Sequence, residues 1–326
     1  MSLQFCRSFL SGQPTGAPIP HLATAGREGL DGLVAVVLAR QGRELPGAYE
    51  TALRRHFTRN AGHLSELARI GDALQSAGLR ALILKGASLL GECYRDLAAR
   101  PMGDLDLLVR PEDRGPVRVA LRKLGYRPGD VSLVGPGAMV DLHTRLMGWE
   151  SVRPEVSAYR FPQDRLWQSA RQTAFPAILR LAPEHQALHL AVHALKHGYE
   201  RLLWLVDLAL VLPHADPERL AREAREARAE RALAYGRHLT SRLFQMPRDR
   251  PVRLSLLERI FLDRALARRG LRRGGKILMA LELPVRQRMA YLAQLVFPAR
   301  SQFAAAVREQ PAWRRHAARL VRILLK

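Results

Sequence analysis

Residues 84–88 read Leu-Lys-Gly-Ala-Ser, and residues 100–109 read Arg-Pro-Met-Gly-Asp-Leu-Asp-Leu-Leu-Val. The apolar run 81–84 stops at a glycine turn, and the second apolar run carries two aspartates two positions apart. This pattern predicts a strand, a glycine turn with a short helix, and a second strand. Because successive side chains of a strand point to opposite faces, Asp104 and Asp106 share one face, while Leu105, Leu107 and Val109 face the other way.

Two carboxylates directed at one point repel each other, and such a pair usually holds a divalent cation, most often Mg²⁺ shared with a substrate phosphate. A third carboxylate, Asp141, lies in residues 140–143, Val-Asp-Leu-His. The alternative interpretation is that the Asp-x-Asp pair consists of ordinary strand-edge acids. The Lys-Gly turn upstream, Arg100 and Asp141 together favour a metal site over that alternative.

The order of these motifs resembles the uncharacterised bacterial nucleotidyltransferase family of the polymerase-beta-like superfamily and, more distantly, the nucleotidyltransferase toxins of abortive-infection systems. The resemblance covers residues 50–210. It rests on Leu84-Lys85-Gly86, Tyr94, Arg100, Asp104 through Leu108, Leu124-Gly125-Tyr126 and Asp141-Leu142-His143. In that superfamily the turn usually reads Gly-Ser or Gly-Gly-Ser, whereas here it reads Lys-Gly-Ala-Ser. Whether Ser88 replaces the usual serine therefore stays open.

The resemblance implies a metal-dependent nucleotidyltransferase that moves a nucleoside monophosphate from an NTP to an acceptor and releases pyrophosphate. Asp104 and Asp106 would hold the Mg²⁺ or Mn²⁺ ions that carry the triphosphate, and Asp141 would complete a second metal site and help activate the acceptor hydroxyl. The nucleotide-binding residues would be Lys85, Gly86, Ala87, Ser88 and Arg100. The amino group of Lys85 could instead brace a carboxylate. The alternative function is a catalytically silent nucleotide-sensing or RNA-binding module on the same fold.

A second informative stretch begins at Pro183, where histidines recur every four residues at positions 185, 189, 193 and 197. This spacing places them in one stripe along a helix. A zinc site is conceivable, but no His-Glu-x-x-His pattern is present, and packed, hydrogen-bonded histidines are the preferred interpretation. The resemblance implies that residues of this region brace or line the pocket. The candidates in this region are His193, His197, Arg201, Trp204 and Asp207, and His143 of the core is a further candidate for lining the pocket.

The chain carries a formal net charge of +22 and has a pI near 11.3, which points to a polyanionic partner such as RNA, or to an acidic membrane. Only five of the 52 basic residues are lysines, a bias typical of a GC-rich genome. That bias explains arginine over lysine, but not the excess of base over acid. We therefore favour RNA or another polyanion as acceptor over a protein or a small molecule. Candidate residues for its binding surface are Arg145, Arg153, Arg201, Arg314 and Arg315.

The sequence predicts an α+β fold in which a small mixed sheet forms a nucleotidyltransferase core between helical N- and C-terminal regions. We place the core at residues 72–150. Residues 1–71 form a loose lead-in, up to residue 27, and a helical region, whereas residues 151–326 form a helical C-terminal domain. Residues 135–137, Gly-Pro-Gly, suit a tight hairpin between two strands of the core. The tail, residues 304–326, has the pattern of a basic amphipathic helix that either touches RNA or lipid or caps the domain.

The sequence also predicts a cytoplasmic protein. No apolar run reaches the ~18 residues that a membrane-spanning helix needs, and the N-terminus has no apolar stretch of signal-peptide length. The two cysteines, Cys6 and Cys93, are too few for a disulfide framework and lack metal-ligand spacing.

Overall fold

The computed structural model describes residues 2–129, 132–147, 159–246, 254–267, 274–283 and 285–296. The helices are α1 (Ser2–Ser11), α2 (Leu22–Glu28), α3 (Asp31–Arg40), α4 (Gly47–Ser76), α5 (Lys85–Leu89), α6 (Arg114–Lys123), α7 (Gln163–Gln168), α8 (Pro183–Lys196), α9 (Leu202–Val211), α10 (Pro217–Glu226), α11 (Glu230–Phe244), α12 (Leu256–Leu266), α13 (Gly274–Leu281) and α14 (Val285–Val296). The strands are β1 (Ala81–Ile83), β2 (Leu105–Leu108), β3 (Arg127–Pro128), β4 (Leu133–Val134), β5 (Met139–His143), β6 (Arg171–Gln172) and β7 (Ile178–Arg180).

The strands form one mixed sheet of seven strands in the order β3-β4-β5-β2-β1-β7-β6. Strand β2 lies at its centre, antiparallel to β1 and parallel to β5. In the parallel pair Asp106 lies directly opposite Asp141, so their side chains share one face of the sheet. The predicted α+β fold is confirmed.

The two faces of the sheet belong to different apolar clusters. Leu105 and Leu107 of β2 belong to the larger cluster, which includes the N-terminal helices and α8 to α11. Leu108 belongs to a smaller cluster with Leu179 and Leu166, on the opposite face. Because side chains alternate along a strand, Asp106 lies on the same face as this smaller cluster. The acidic residues therefore lie beside the smaller apolar cluster of the structure.

The predicted hairpin is confirmed, since β4 and β5 are antiparallel and Gly135 donates its backbone N–H to the carbonyl of Ala138 at 3.0 Å. Strands β6 and β7, in contrast, join the sheet although they follow residue 150, the predicted end of the core. Helix α4 also continues to Ser76, past residue 72, the predicted start of the core. The division into three domains stays a prediction, but the sheet extends beyond the limits we assigned to its core.

The prediction of a loose lead-in is wrong for residues 2–11 and 22–27, because they lie in helices α1 and α2. Phe5 and Cys6 are fully buried, and the ring of Phe9 stacks on Tyr94 with 5.7 Å between centroids. The Nε of Arg7 donates to the carbonyl of Leu243 at 2.8 Å, which ties α1 to α11. Apolar side chains at helical spacing thus determine the conformation here, and the glycines and prolines of the lead-in follow only after residue 11.

After β7 the described chain is helical. Pro183 occupies the first turn of α8, where its missing N–H has no helical partner to lose. Across all described segments, no helix combines the length and the apolar composition that crossing a bilayer requires. The predicted helix at residues 304–326 lies outside the described residues, as do Arg153, Arg314 and Arg315.

Candidate functional site

The glycine turn places Lys85 in an unusual backbone conformation. Its φ is +47°, in the left-handed region that costs a residue other than glycine roughly 1–2 kcal/mol. The hydroxyl of Ser88 donates to the Lys85 carbonyl at 2.7 Å, and Nε2 of Gln186 in α8 donates to that hydroxyl oxygen at 2.9 Å. Ser88 and Gln186 are both buried. Two hydrogen bonds in series, one partly buried and one buried, therefore hold the turn.

Gly86 lies where no side chain fits. A Cβ at this position would lie 2.1 Å from Nη1 of Arg100 and 2.7 Å from Sδ of Met102. The glycine thus allows the segment before β2 to pack directly on the turn. This contact joins residues 84–88 to the start of residues 100–109, the two stretches that define the sequence motif.

Asp106 contacts two side chains of the site through one carboxylate oxygen. It is 4% exposed, and its Oδ1 accepts a hydrogen bond from Nζ of Lys85 at 2.6 Å. The same oxygen lies 2.8 Å from Nε2 of His143. Burial raises the pKa of Asp106, but His143 and Lys85 outweigh it and lower the pKa to about 2. Asp106 is therefore ionised at neutral pH.

Asp141 and His143 extend this arrangement along β5. Asp106, Asp141 and His143 each offer one ligand atom, and these atoms all lie within 4.8 Å of one another. The Oδ1 atom of Asp141 is buried and has no hydrogen-bond partner among the described residues. A buried carboxylate oxygen without a donor is unusual, and the described residues supply no partner for this one. The two carboxylates are oxygen donors of the kind that Mg²⁺ and Mn²⁺ prefer, and the imidazole adds a nitrogen donor of the kind that transition-metal ions bind.

Asp104 lies one residue before β2 and is not among the three ligand atoms of that group. Its pKa is raised, first by burial and then by the negative charge of Asp106, with a smaller contribution from Asp141. The three predicted carboxylates are therefore close enough to repel one another. A bound cation would reverse that effect, because an opposite charge favours the ionised carboxylate.

Arg100 and Asp207 form a buried ion pair. Nε of Arg100 donates to Oδ1 of Asp207 at 2.9 Å, and Nη2 donates to Oδ2 at 2.7 Å. The hydroxyl of Tyr94 donates to the same Oδ1 at 2.7 Å. Asp207 therefore braces Arg100. Contact of Arg100 with a phosphate stays a prediction, and in this structure its guanidinium is bound to α9.

The histidine stripe of α8 faces the glycine turn at its centre. His189 is buried, and burial together with the positive charge of Lys85 lowers its pKa to about 3. Burial and Lys85 also lower the pKa of His193. Both imidazoles are neutral at pH 7. Gln186 lies three residues before His189 and seven before His193, so it shares their face of the helix. The sequence analysis did not predict its contact with the glycine turn.

The far end of the stripe is an aromatic cluster. The rings of His193 and His197 lie 4.7 Å apart, and each lies 5.1 Å from the ring of Trp204. The guanidinium of Arg201 lies 5.8 Å from the centre of the Trp204 ring. The predicted residues are thus together in space, but their role in lining a pocket stays a prediction.

The ionised Asp106 makes stability depend on pH. Its folded-state pKa is below the ordinary value of 3.8, so its stabilising contribution is present above that value and is lost as the pH falls towards about 2. We expect the difference in unfolding free energy between wild type and Asp106→Asn to shrink by about 2 kcal/mol between about pH 5 and pH 2. Urea unfolding of both proteins across this range measures it. A difference that stays constant with pH would contradict the assigned ionisation.

A comparison with protein families found one matching family model, described as uncharacterised nucleotidyltransferase, which covers residues 20–245. No curated protein and no solved structure matched the chain significantly. The matched range includes the glycine turn, all three aspartates and the histidine stripe of α8.

Proposed function

Because the chain belongs to the uncharacterised nucleotidyltransferase family, we propose that it transfers a nucleoside monophosphate from an NTP to an acceptor and releases pyrophosphate. Membership supports nucleotidyltransferase activity in general. The observation that carries the finer proposal is the group formed by Asp106, Asp141 and His143, in which a buried carboxylate oxygen lacks a partner among the described residues.

We propose that Asp106, Asp141 and His143 would hold a divalent ion, Mg²⁺ or Mn²⁺, and that Asp104 would be a further carboxylate ligand for the ions that carry the triphosphate. Such an ion, when bound, neutralises charge on the phosphates and promotes attack by the acceptor oxygen. The low pKa of Asp106 supports this assignment, since a ligand that is already ionised does not have to lose a proton before binding. The raised pKa of Asp104 supports it too, because a cation would relieve the repulsion that causes part of the shift.

The phosphate side of the site is proposed to be the glycine turn. Lys85 is a quarter exposed and supplies a positive charge next to Asp106, where negative charge develops on the departing pyrophosphate. Backbone N–H groups of Gly86 and Ala87 are the proposed phosphate donors, as the family resemblance implies. In the reaction the acceptor oxygen bonds to the α-phosphorus, the bond from that phosphorus to the β-phosphate oxygen breaks, and the acceptor proton passes to a carboxylate of the site, for which Asp141 is the proposed base.

The test is transfer of label from each of the four NTPs, in the presence of Mg²⁺ or Mn²⁺ and a cell extract. We expect one macromolecule or metabolite to gain label with wild type. Asp141→Asn should lose this labelling while it keeps most of its NTP affinity, because the turn remains intact. Asp72→Asn, an exposed change on α4, is the matched control and should label normally. Binding of NTP with no labelling under any condition would instead support a silent nucleotide-sensing module.

We propose RNA or another polyanion as the acceptor. Two of the predicted arginines fall within the described residues: Arg145 follows β5 two residues after His143, and Arg201 precedes α9, and both are exposed. They carry positive charge on the segments next to the metal-binding group and to the aromatic cluster. The net charge of +22 supports the same partner class.

The salt dependence of binding checks this acceptor. We expect a mixed tRNA pool to bind at low salt, with an affinity that falls by roughly 0.9 logarithmic units per logarithmic unit of salt for each phosphate contact. The variant Arg145→Ala/Arg201→Ala should reduce the steepness of that salt dependence by the amount that corresponds to about two phosphate contacts. Filter binding from low to moderate salt measures it. A flat response, or no binding at low salt, would leave a protein or small-molecule acceptor.

A further inference from the structure

We propose that Gln186 is a positioning residue of the active site, and that it acts through Ser88 on Lys85. This inference rests on the proposed function, in which Lys85 serves the phosphate side of the site. It also assigns Ser88 a different task from phosphate binding. Ser88 bonds to the backbone carbonyl of Lys85, and Gln186 bonds to Ser88. Asp106 instead contacts the amino group at the other end of the lysine.

The direction of the hydrogen bonds determines what the Ser88 hydroxyl can bind. A serine hydroxyl has a single proton, and that of Ser88 goes to the Lys85 carbonyl at 2.7 Å. Its oxygen in turn accepts from Nε2 of Gln186 at 2.9 Å. While these bonds hold, the hydroxyl has no proton left for a triphosphate oxygen. Ser88 is also buried, with 7% of its surface exposed.

The hydrogen bond from Ser88 holds Lys85 in a strained backbone conformation. Lys85 has a φ of +47°, a conformation in which its Cβ crowds the following carbonyl oxygen. A residue held there by its surroundings relaxes when the supporting bond is removed. Relaxation of φ rotates the Cα–Cβ bond, and the amino group then leaves Oδ1 of Asp106, which it now contacts at 2.6 Å. The bond from Ser88 therefore stabilises the backbone form that delivers Lys85 to Asp106.

Helix α8 supplies the residue that holds Ser88 in place. Gln186 lies in the first turn of α8, and only 8% of its surface is exposed. His189, one turn further along, lies near enough for the charge of Lys85 to lower its pKa. One face of α8 thus backs the glycine turn. Helix α8, which follows the sheet in the chain, thereby supports the backbone conformation of Lys85 through Gln186 and Ser88.

The experiment measures the reactivity of Lys85 towards an amine-acylating reagent at fixed pH, by mass spectrometry, without metal or nucleotide. Lys123 is exposed and serves as the internal reference on the same chain. The variants are Ser88→Ala, Gln186→Met and the double variant. Ser169→Ala is the matched control, because it removes a hydroxyl 3.1 Å from Nδ1 of His185, the residue before Gln186 on the same helix.

We expect Ser88→Ala to raise the labelling of Lys85 relative to Lys123 by about tenfold, the effect of losing one partly buried hydrogen bond. Gln186→Met should raise it less, and the double variant should match Ser88→Ala, because Gln186 acts through Ser88. Ser169→Ala should change nothing. Unchanged labelling in both single variants, or effects that multiply in the double variant, would overturn the inference.

The same variants are then assayed for label transfer. If Gln186 positions Lys85, turnover should fall in both single variants, and it should fall further in Ser88→Ala, in which Lys85 is labelled more. The thermal unfolding temperature of both variants should stay near that of wild type. Normal turnover in a variant with a released lysine would also overturn the proposed role. Wild-type protein that transfers no label refutes the proposed function alone, since the labelling of Lys85 is measured without substrate.

Discussion

Asp106→Asn is expected to abolish nucleotidyl transfer, lowering kcat by roughly a thousandfold or more. The amide has the shape of the carboxylate but no charge, so it cannot serve as an anionic ligand to a divalent ion. It also leaves Lys85 and His143 without the anion that both now contact through Oδ1. We expect the same loss for Asp104→Asn. Label transfer at saturating NTP measures turnover, and Mn²⁺ binding followed by electron paramagnetic resonance measures the site directly.

The control for these variants is again Asp72→Asn, which changes an exposed aspartate outside the sheet. Circular dichroism should show a wild-type helical signal for all three proteins, because Lys85 and His143 are partly exposed and can regain water when the carboxylate is lost. Near-wild-type turnover of a folded Asp106→Asn protein would show that the metal site has been assigned to the wrong carboxylates.

The centre of the sheet can be predicted from the sequence because its signals are local. Alternation in residues 104–109 places Asp104 and Asp106 on the face opposite Leu105 and Leu107. The Gly-Pro-Gly turn forms the hairpin that contains β5, and β5 pairs with β2 so that Asp141 lies opposite Asp106. Strands β6 and β7 cannot be predicted in this way, since two or three residues are too few to show a period. Their place in the sheet depends on the pairing of β7 with β1 and of β6 with β7.

The partners of the site residues are predictable only in part. The resemblance implies that Asp207 braces or lines the pocket, but its pairing with Arg100 joins residues 107 positions apart. The bond from Gln186 to Ser88 joins residues 98 positions apart. Neither residue of such a pair carries a local pattern that reveals the other, because the contact is decided by how α8 and α9 pack on the sheet. The face shared by Gln186, His189 and His193 was the available signal.

Asp207→Asn is expected to lower the free energy of unfolding by about 3–5 kcal/mol, the cost of breaking a buried ion pair. The side chain of Asp207 has no exposed surface and that of Arg100 is 7% exposed, so the guanidinium cannot regain water when its partner loses its charge. Tyr94 loses a charged acceptor at the same time. Urea unfolding at neutral pH gives the size of the loss.

Asp164→Asn provides the matched control, because it removes the same charge from an ion pair with Arg110 whose aspartate side chain is 84% exposed. An exposed pair contributes about 0–1 kcal/mol, so this variant should unfold nearly as wild type does. Replacing both partners, as in Arg100→Met/Asp207→Leu, should recover part of the loss, since the largest cost of the single change is the buried charge left behind. A loss in Asp207→Asn no greater than in Asp164→Asn would mean that water reaches Arg100, and the guanidinium would then be open to a phosphate, as the sequence predicts.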